Sequence, residues 1–276
     1  MTRFDVRAAD LRVLNSLTKY PSIPTYHELD PRGQATQASP AGTRSAGGGF
    51  GVLLESATAF SGDVIATEKV DGTNSRIVLL PDGSYLIGSR EEFLHARGDL
   101  IANPALGIVE QLRPVADRLA EGHAGGIHVY FMELYGGKVG GAAKQYTKDS
   151  SRFGWRLFDV VLLDDWATAL TWPQPQISAW REAGGQPYAD EEALQGLAKA
   201  AGLELTPRLF RTDALPQSIA DMQALLAERL PETLVGLDDT RGRAEGIVFR
   251  APDRKVIAKA RFQDYARTLK RRPGAG

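Results

Sequence analysis

The sequence predicts an α+β fold, with antiparallel sheets at its centre and helices flanking them. Three observations carry this. Short runs of β-branched and aromatic residues recur along the chain, and most are joined by turn signals. Helical periodicity is confined to the amino terminus, to 103–120 and to a block over 173–232, unlike the strict alternation of parallel βαβ units. The chain is also long enough, at 276 residues with 43% hydrophobic and 24% charged side chains, to bury one sizeable core.

Residues 1–20 read as a helix because Leu11, Val13, Leu14 and Leu17 recur at helical spacing. Pro21 and Pro24 end it and leave an extended crossing. Residues 30–51 are rich in Gly, Ala, Ser, Thr and Pro, too polar to pack, and are expected to form a flexible loop. Asp63–Thr67 and Ile77–Leu80 are strands on either side of a lysine-bearing hairpin, and Pro81-Asp82-Gly83 turns the chain into a third strand at Tyr85–Ile87. Asn103–Ala120 has a helical period. Ile127–Tyr135 and Trp155–Leu163 are strands, ended by Gly136-Gly137 and Asp164-Asp165. The block over 173–232, rich in Ala, Glu and Gln, is expected to be a helical insertion flanking one sheet, with helices at 175–183, 190–201 and 216–230. Ala244–Arg250 and Lys255–Arg261 complete a count of about seven strands, and 263–276 reads as a basic tail. The whole reads as a single domain over 1–276 without an internal repeat.

Composition removes several classes of function. With no cysteine there is no disulfide framework, thiolate metal site or cysteine nucleophile. No apolar run approaches the roughly 20 residues that cross a bilayer, and Met1–Asp5 lacks the apolar core of a secretion signal. A cytoplasmic protein with no membrane association is expected. A net charge of −1 exerts no global pull on nucleic acid, so any such binding must come from local patches. One patch is visible between Arg254 and Arg272, where basic residues occur eight times and Asp264 is the single acid. It is expected to be a phosphate-tracking strip or a solvated end.

Charges recur at the ends of apolar strands: Lys69, Arg90, Glu133, Glu245, Lys259 and Arg261. A buried charge without a partner is costly, so such residues should converge on one another or on a ligand. Taken one at a time, each has a plainer reading. Glu68-Lys69-Val70-Asp71-Gly72-Thr73-Asn74 alone suits a solvated surface hairpin, Glu133 and Glu245 suit sheet-edge charges, Arg90 suits a cap, and Phe158 suits an ordinary core.

Their order resembles the covalent nucleotidyltransferase superfamily of ATP-dependent DNA ligases, RNA ligases and messenger-RNA capping enzymes. The family's first motif, K-x-D-G, is similar to Lys69-Val70-Asp71-Gly72. Its glutamate strand resembles Phe131-Met132-Glu133-Leu134-Tyr135-Gly136-Gly137, and its aromatic strand resembles Arg156-Leu157-Phe158-Asp159-Val160-Val161. E-G-x-V is matched by Glu245-Gly246-Ile247-Val248, and the fifth motif by Lys259-Ala260-Arg261. The resemblance spans residues 63–262. Asn74, two residues after the glycine, and Glu133-Leu134-Tyr135-Gly136 are similar to the RNA ligases that seal nicks in duplexes. Asp71 stands where that branch often has histidine, and Arg261 where a lysine is usual. Lys255 is an alternative basic residue on the last strand. Relatives carry a further domain after the fifth motif; none is expected here, neither an OB domain nor a substitute, so a protein partner is one source of that function.

What the resemblance implies is specific. Lys69 would attack the α-phosphate of ATP and hold AMP as a phosphoramidate, with Mg2+ or Mn2+ as the metal. A free lysine has a pKa near 10.4, and lowering it by about three units amounts to about 4 kcal/mol. Arg90, Lys259, Arg261 and the metal would supply this by converging on Lys69. Glu68, Asp71, Gly72 and Asn74 would surround the nucleotide, Glu133 would accept from the ribose hydroxyls, Phe158 would stack on adenine, and Glu245 would hold the metal. Gly72 and Gly246 would let backbone approach the nucleotide. RNA with 5′-phosphate and 3′-hydroxyl ends, including a nicked duplex, would be the partner, with Asn74 and Arg90 aligning the ends. A DNA ligase or another polynucleotide adenylyltransferase, and a non-catalytic nucleic-acid-binding relative, are the competing readings.

Overall fold

The computed structural model describes residues 4–29 and 56–270. The expected loop over 30–51 and the end of the expected tail, 271–276, lie outside the described residues. Among the described residues ten strands form two antiparallel sheets, with helices packed against them. The strands are β1 (Val64–Lys69), β2 (Thr73–Leu79), β3 (Tyr85–Ser89), β4 (Phe93–Ala96), β5 (Asp99–Leu100), β6 (Ile127–Gly136), β7 (Phe153–Leu163), β8 (Arg208–Thr212), β9 (Gly246–Arg250) and β10 (Ile257–Arg261). The larger sheet has the order β5-β4-β3-β2-β6-β7, and the smaller β10-β9-β1-β8.

The lysine-bearing stretch is therefore not a hairpin. β1 pairs with β8 and β9, whereas β2 pairs with β3 and β6, so Val70–Gly72 carries the chain from one sheet to the other. Of the strands not anticipated, β4 and β5 are short, and β8 carries two arginines, so none has a clean apolar alternation. The first helix is shorter than its apolar spacing suggests: α1 spans Leu11–Leu17, capped where Asp10 accepts from the Arg12 N–H. α2 is Ile108–Ala120, entered through a 3-10 turn at Ala105–Gly107.

The helical block is not one layer. After a short α3 (Trp166–Ala169), α4 (Gln174–Glu182) joins α1 on one face of the larger sheet, through Leu14, Leu17 and Ile177 against Val78, Val129 and Val161. α5 (Glu191–Ala201) joins α2 on the opposite face, where Leu194 and Ala198 meet Ile77, Leu112 and Leu157. α6 (Ile219–Arg229) covers the smaller sheet together with α7 (Phe262–Lys270), through Met222, Leu226 and Tyr265. The first part of the expected basic tail is thus packed helix, because Phe262 and Tyr265 recur on a buried face.

Where the sheets face each other they are fastened by buried charge. Asp159 of β7 accepts from Arg254 Nε at 2.6 Å and from the Tyr20 hydroxyl at 2.8 Å, both on Oδ2. Arg254, in the β9–β10 turn at φ +63°, also donates to the Tyr20 oxygen at 2.7 Å. Arg250 at the end of β9 lies 3.5 Å from Asp159 Oδ1. Asp159, Arg250 and Arg254 are all buried. Removing one member of a buried ion network leaves uncompensated charge and costs about 3–5 kcal/mol. Asp159→Leu is therefore expected to lower unfolding free energy by about that amount in urea titration; a loss below about 1 kcal/mol would rule the fastening out.

Candidate active site

Strand alternation decides which side chains reach the space between the sheets. In the smaller sheet Lys69, Gly246 and Arg261 stand opposite one another, as do Thr67, Val248 and Lys259 two residues further along. The intervening Ala66, Ile247, Phe249, Ala258 and Ala260 point the other way, into the core shared with α6 and α7. From the larger sheet, Asn74 and Glu133 stand opposite each other. Phe158 is the extra residue of a β-bulge: Phe131 pairs with Asp159 and Met132 with Leu157, which leaves Phe158 unpaired and re-aimed.

These side chains line one cavity of about 410 Å³. Glu68, Lys69, Asp71, Gly72, Asn74, Arg90, Glu133, Phe158, Glu245, Lys259 and Arg261 all border it. Lys255 does not; its side chain is 82% exposed and pairs with Asp253 at 2.9 Å, so the basic pair facing the cavity is Lys259 and Arg261.

Within the cavity the charges are arranged differently from the expected ring of cations around the lysine. Lys69 Nζ donates to Glu245 Oε2 at 2.5 Å, so its direct partner is an anion. Arg261 binds Asp264 through two N–H groups at 2.7 and 3.0 Å and lies 3.8 Å from Glu245. Arg90 is turned to the rim, donating to Ser22 Oγ at 2.8 Å and pairing with Glu91 at 3.6 Å. Lys259 alone stays close to the expected part: burial, then Arg261 and Lys69, hold its amine below the usual lysine range. Burial pushes the Glu133 carboxyl up to about 7; Lys69 and the Gly72 N–H oppose this, and Glu245 and Asp71 add to it. Burial also raises Glu245, against the pull of Lys69.

Two further expectations are redirected. The Glu68 carboxylate, on the opposite face of β1 from Lys69, accepts from Thr233 Oγ1 at 2.5 Å and the Leu234 N–H at 2.9 Å, so it anchors a loop. Gly72 and Gly246 are needed for close approach of protein backbone. A Cβ on Gly72 would sit 2.1 Å from the Leu134 carbonyl oxygen, and one on Gly246 2.1 Å from that of Ala260. Phe158 packs edge-on to Tyr20 at 5.1 Å while bordering the cavity, and Asn74 Oδ1 is buried with no hydrogen-bond partner among the described residues.

Sequence reasoning missed Tyr20, Asp159, Thr206 and Arg250, which also line the cavity. The signal for Asp159 was available, since an acid inside the apolar run Leu157–Leu163 demands a partner. Tyr146, whose hydroxyl accepts from the Asp71 N–H at 2.6 Å, gave no local signal.

The raised Glu133 carboxyl has a consequence for stability. A group whose folded pKa lies above its unfolded value contributes stability below the unfolded pKa, near 4.3, and loses it as pH rises through the folded value, here about 7. In nucleotide-free protein, raising pH from 5 to 8 should cost about 1–2 kcal/mol through this residue, after allowing for its partial exposure. Scanning calorimetry across that range should show Glu133→Gln with a flatter profile than the parent chain. Parallel profiles would contradict the assignment.

Comparison with known proteins agrees with this geometry. A family model described as RNA ligase matches residues 62–263. A search of curated proteins finds no match by sequence. Among solved structures, a Naegleria gruberi RNA ligase mutant with ATP and Mn aligns with TM-score 0.50 and 16% identity over 74% of this chain and 51% of its own. An apo mutant of the same enzyme aligns with TM-score 0.52 and 16% identity over 77% and 53%. The form with PPi aligns with TM-score 0.50 and 17% identity over 77% and 53%. The present chain thus spans about half the length of those chains. With the matched segment covering most of its length, and with Lys69, Glu133, Phe158, Glu245, Lys259 and Arg261 bordering one cavity, the chain belongs to the RNA ligase family.

Proposed function

We propose that this chain is an ATP-dependent RNA ligase that joins a 5′-phosphate to a 3′-hydroxyl through a lysyl-AMP intermediate on Lys69. The observation that carries the proposal is the convergence of Lys69, Glu133, Phe158, Glu245 and Lys259 on one cavity at the seam of the sheets. In the first step the Lys69 amine forms a bond to the α-phosphorus and the bond to pyrophosphate breaks. The lysine ammonium gives up two protons, to its partner Glu245 and to water, and keeps one N–H in the phosphoramidate, while the pyrophosphate carries away the electron pair. AMP then passes to the 5′-phosphate of RNA, and a 3′-hydroxyl displaces it. Lys259 and Arg261 stand where charge develops on the phosphates. Glu133, held by the Gly72 N–H at 3.1 Å, is placed to accept from the ribose, and Phe158 to stack on adenine. Reactions of this type depend on positioning, since attacking and leaving oxygens must be in line.

The residues present fit a divalent cation. Glu133 and Glu245 bring two carboxylates to one cavity, a donor set of the oxygen type that a hard divalent cation takes. Glu245 offers the oxygen ligand, and Mg2+ or Mn2+ is commonly held by one or two carboxylates together with substrate phosphates and water. Glu245 would hold such an ion, which would supply charge neutralisation on the triphosphate. ATP as the nucleotide and Mn as a usable metal are supported by the bound forms of the Naegleria gruberi enzyme.

Nicked duplex RNA is the preferred substrate on this reading, supported by Asn74 and the Glu133-Leu134-Tyr135-Gly136 run. A cytoplasmic location is consistent with the finding that no helix among the described residues is long and apolar enough to cross a membrane.

Incubation with α-labelled ATP and Mn2+ should yield an acid-labile labelled protein, absent in Lys69→Ala and not formed with GTP. Label that persists in Lys69→Ala, or no label in the parent chain, would sink the proposal. Nicked RNA should then be sealed faster than nicked DNA or single strands.

A further inference from the structure

The cavity accounts for a nucleotide but not for a polynucleotide. A chain of net charge −1 has no global attraction for RNA, so a strand must be held by a local basic surface next to the reacting lysine. Most cations around the cavity are already matched: Arg90 to Glu91, Arg156 to Glu204, Arg241 to Glu232 and Arg261 to Asp264.

A different situation holds on two loops that reach the catalytic turn from outside. The segment 138–148 and the segment 233–243 are zipped together. Gly242 and Leu237 N–H groups donate to the Gln145 and Tyr146 carbonyls at 2.9 and 2.8 Å. The Arg243 N–H donates to Gln145 Oε1 at 2.7 Å. A Cβ on Gly242 would fall 2.3 Å from Gln145 Oε1, so the fit admits no larger residue there. The zipped pair is fixed to the active site at two points: Tyr146 takes the Asp71 N–H, and the Glu68 carboxylate takes Thr233 and Leu234.

Lys138, Lys144, Lys148 and Arg243 project from this unit. All four are exposed, and among the described residues none has a carboxylate within 4.0 Å. The Arg243 guanidinium lies 5.5 Å over the ring of Phe262, the residue after Arg261, and Arg243 is two positions before Glu245. Asp149, Asp238, Asp239 and Glu232 share these loops. The first two spend their oxygens on turns, accepting from Ser151 and from Thr147, Lys148 and Thr240. None of the four cations lines the nucleotide cavity.

We propose that this zipped pair of loops is the ledge on which the RNA strand lies as it enters the site, with Lys144, Lys148 and Arg243 contacting successive phosphates. The inference rests on the ligase reading for its substrate, but it is tested by binding rather than by chemistry. Rigid attachment to Asp71 and Glu68 fixes the distance between the strand and Lys69.

The test compares Lys144→Ala/Lys148→Ala/Arg243→Ala with the parent chain, using a 5′-phosphorylated RNA and fluorescence anisotropy between 50 and 200 mM salt, without ATP. Removing three phosphate contacts should reduce the slope of log affinity against log salt by about 2 and weaken binding roughly tenfold or more at low salt. Lys69 labelling by ATP should stay within about twofold of the parent. The charge-preserving exchange Lys144→Arg/Lys148→Arg/Arg243→Lys should keep the slope. Arg118→Ala/Lys199→Ala, on the distant α2 and α5, should leave it unchanged. An unchanged slope in the triple variant, or an equal loss in the distant pair, overturns the ledge. Absence of lysine labelling in the parent chain would instead count against the ligase reading while leaving the binding comparison valid.

Discussion

The carboxylate of Asp159 is the point at which the two sheets are fastened, and it borders the cavity between them. It comes from the larger sheet, whereas Arg250 and Arg254 come from the smaller, and Tyr20 reaches it from the segment after α1. Three charged groups are removed from water here, which is tolerable only because each faces another. Arg250 also donates to the Phe158 carbonyl at 3.1 Å, so the residue that clamps the sheets also supports the bulge that turns Phe158 to the cavity. Sheet spacing and the position of the aromatic face are consequences of one network.

A second constraint is that Lys69 ends β1 just where the chain leaves the smaller sheet for the larger. A lysine there is bordered by both sheets and partly withdrawn from solvent, so its charge must be answered locally. Glu245 answers it from the neighbouring strand, while Glu133 is left with a raised pKa and Lys259 with a lowered one. Holding these groups on strands rather than on loops keeps their geometry preorganised.

The loops over 138–148 and 233–243 extend this order outward. By taking the Asp71 N–H and the Glu68 carboxylate, they make the catalytic turn part of a larger rigid unit. Buried Val70, Tyr135, Tyr146 and Val235 pack beneath it. The turn is thus fixed from the side opposite Lys69, and the outer surface of the same unit bears the cations available to a polyanion.

How much of this was legible in the sequence follows from the range of the interactions. Strand alternation is a local property with a period of two, so the chain itself determined that Lys259 and Arg261 share a face, and that α5 and α6 form near their expected bounds. The ordered motifs likewise gathered on one cavity as expected. What faces what across the seam is a different matter. The pairing of Lys69 with Glu245, the turning of Arg90 to Ser22, the use of Glu68 to anchor a loop and the clamp at Asp159 all join residues far apart in the chain. So does the crossing of Val70–Gly72 between sheets, which a local reading takes for a hairpin. Composition and spacing determined which chemistry the chain can carry. Only the tertiary structure decided how its charges are paired, because a charge is assigned its partner by packing between sheets and not by its neighbours in sequence.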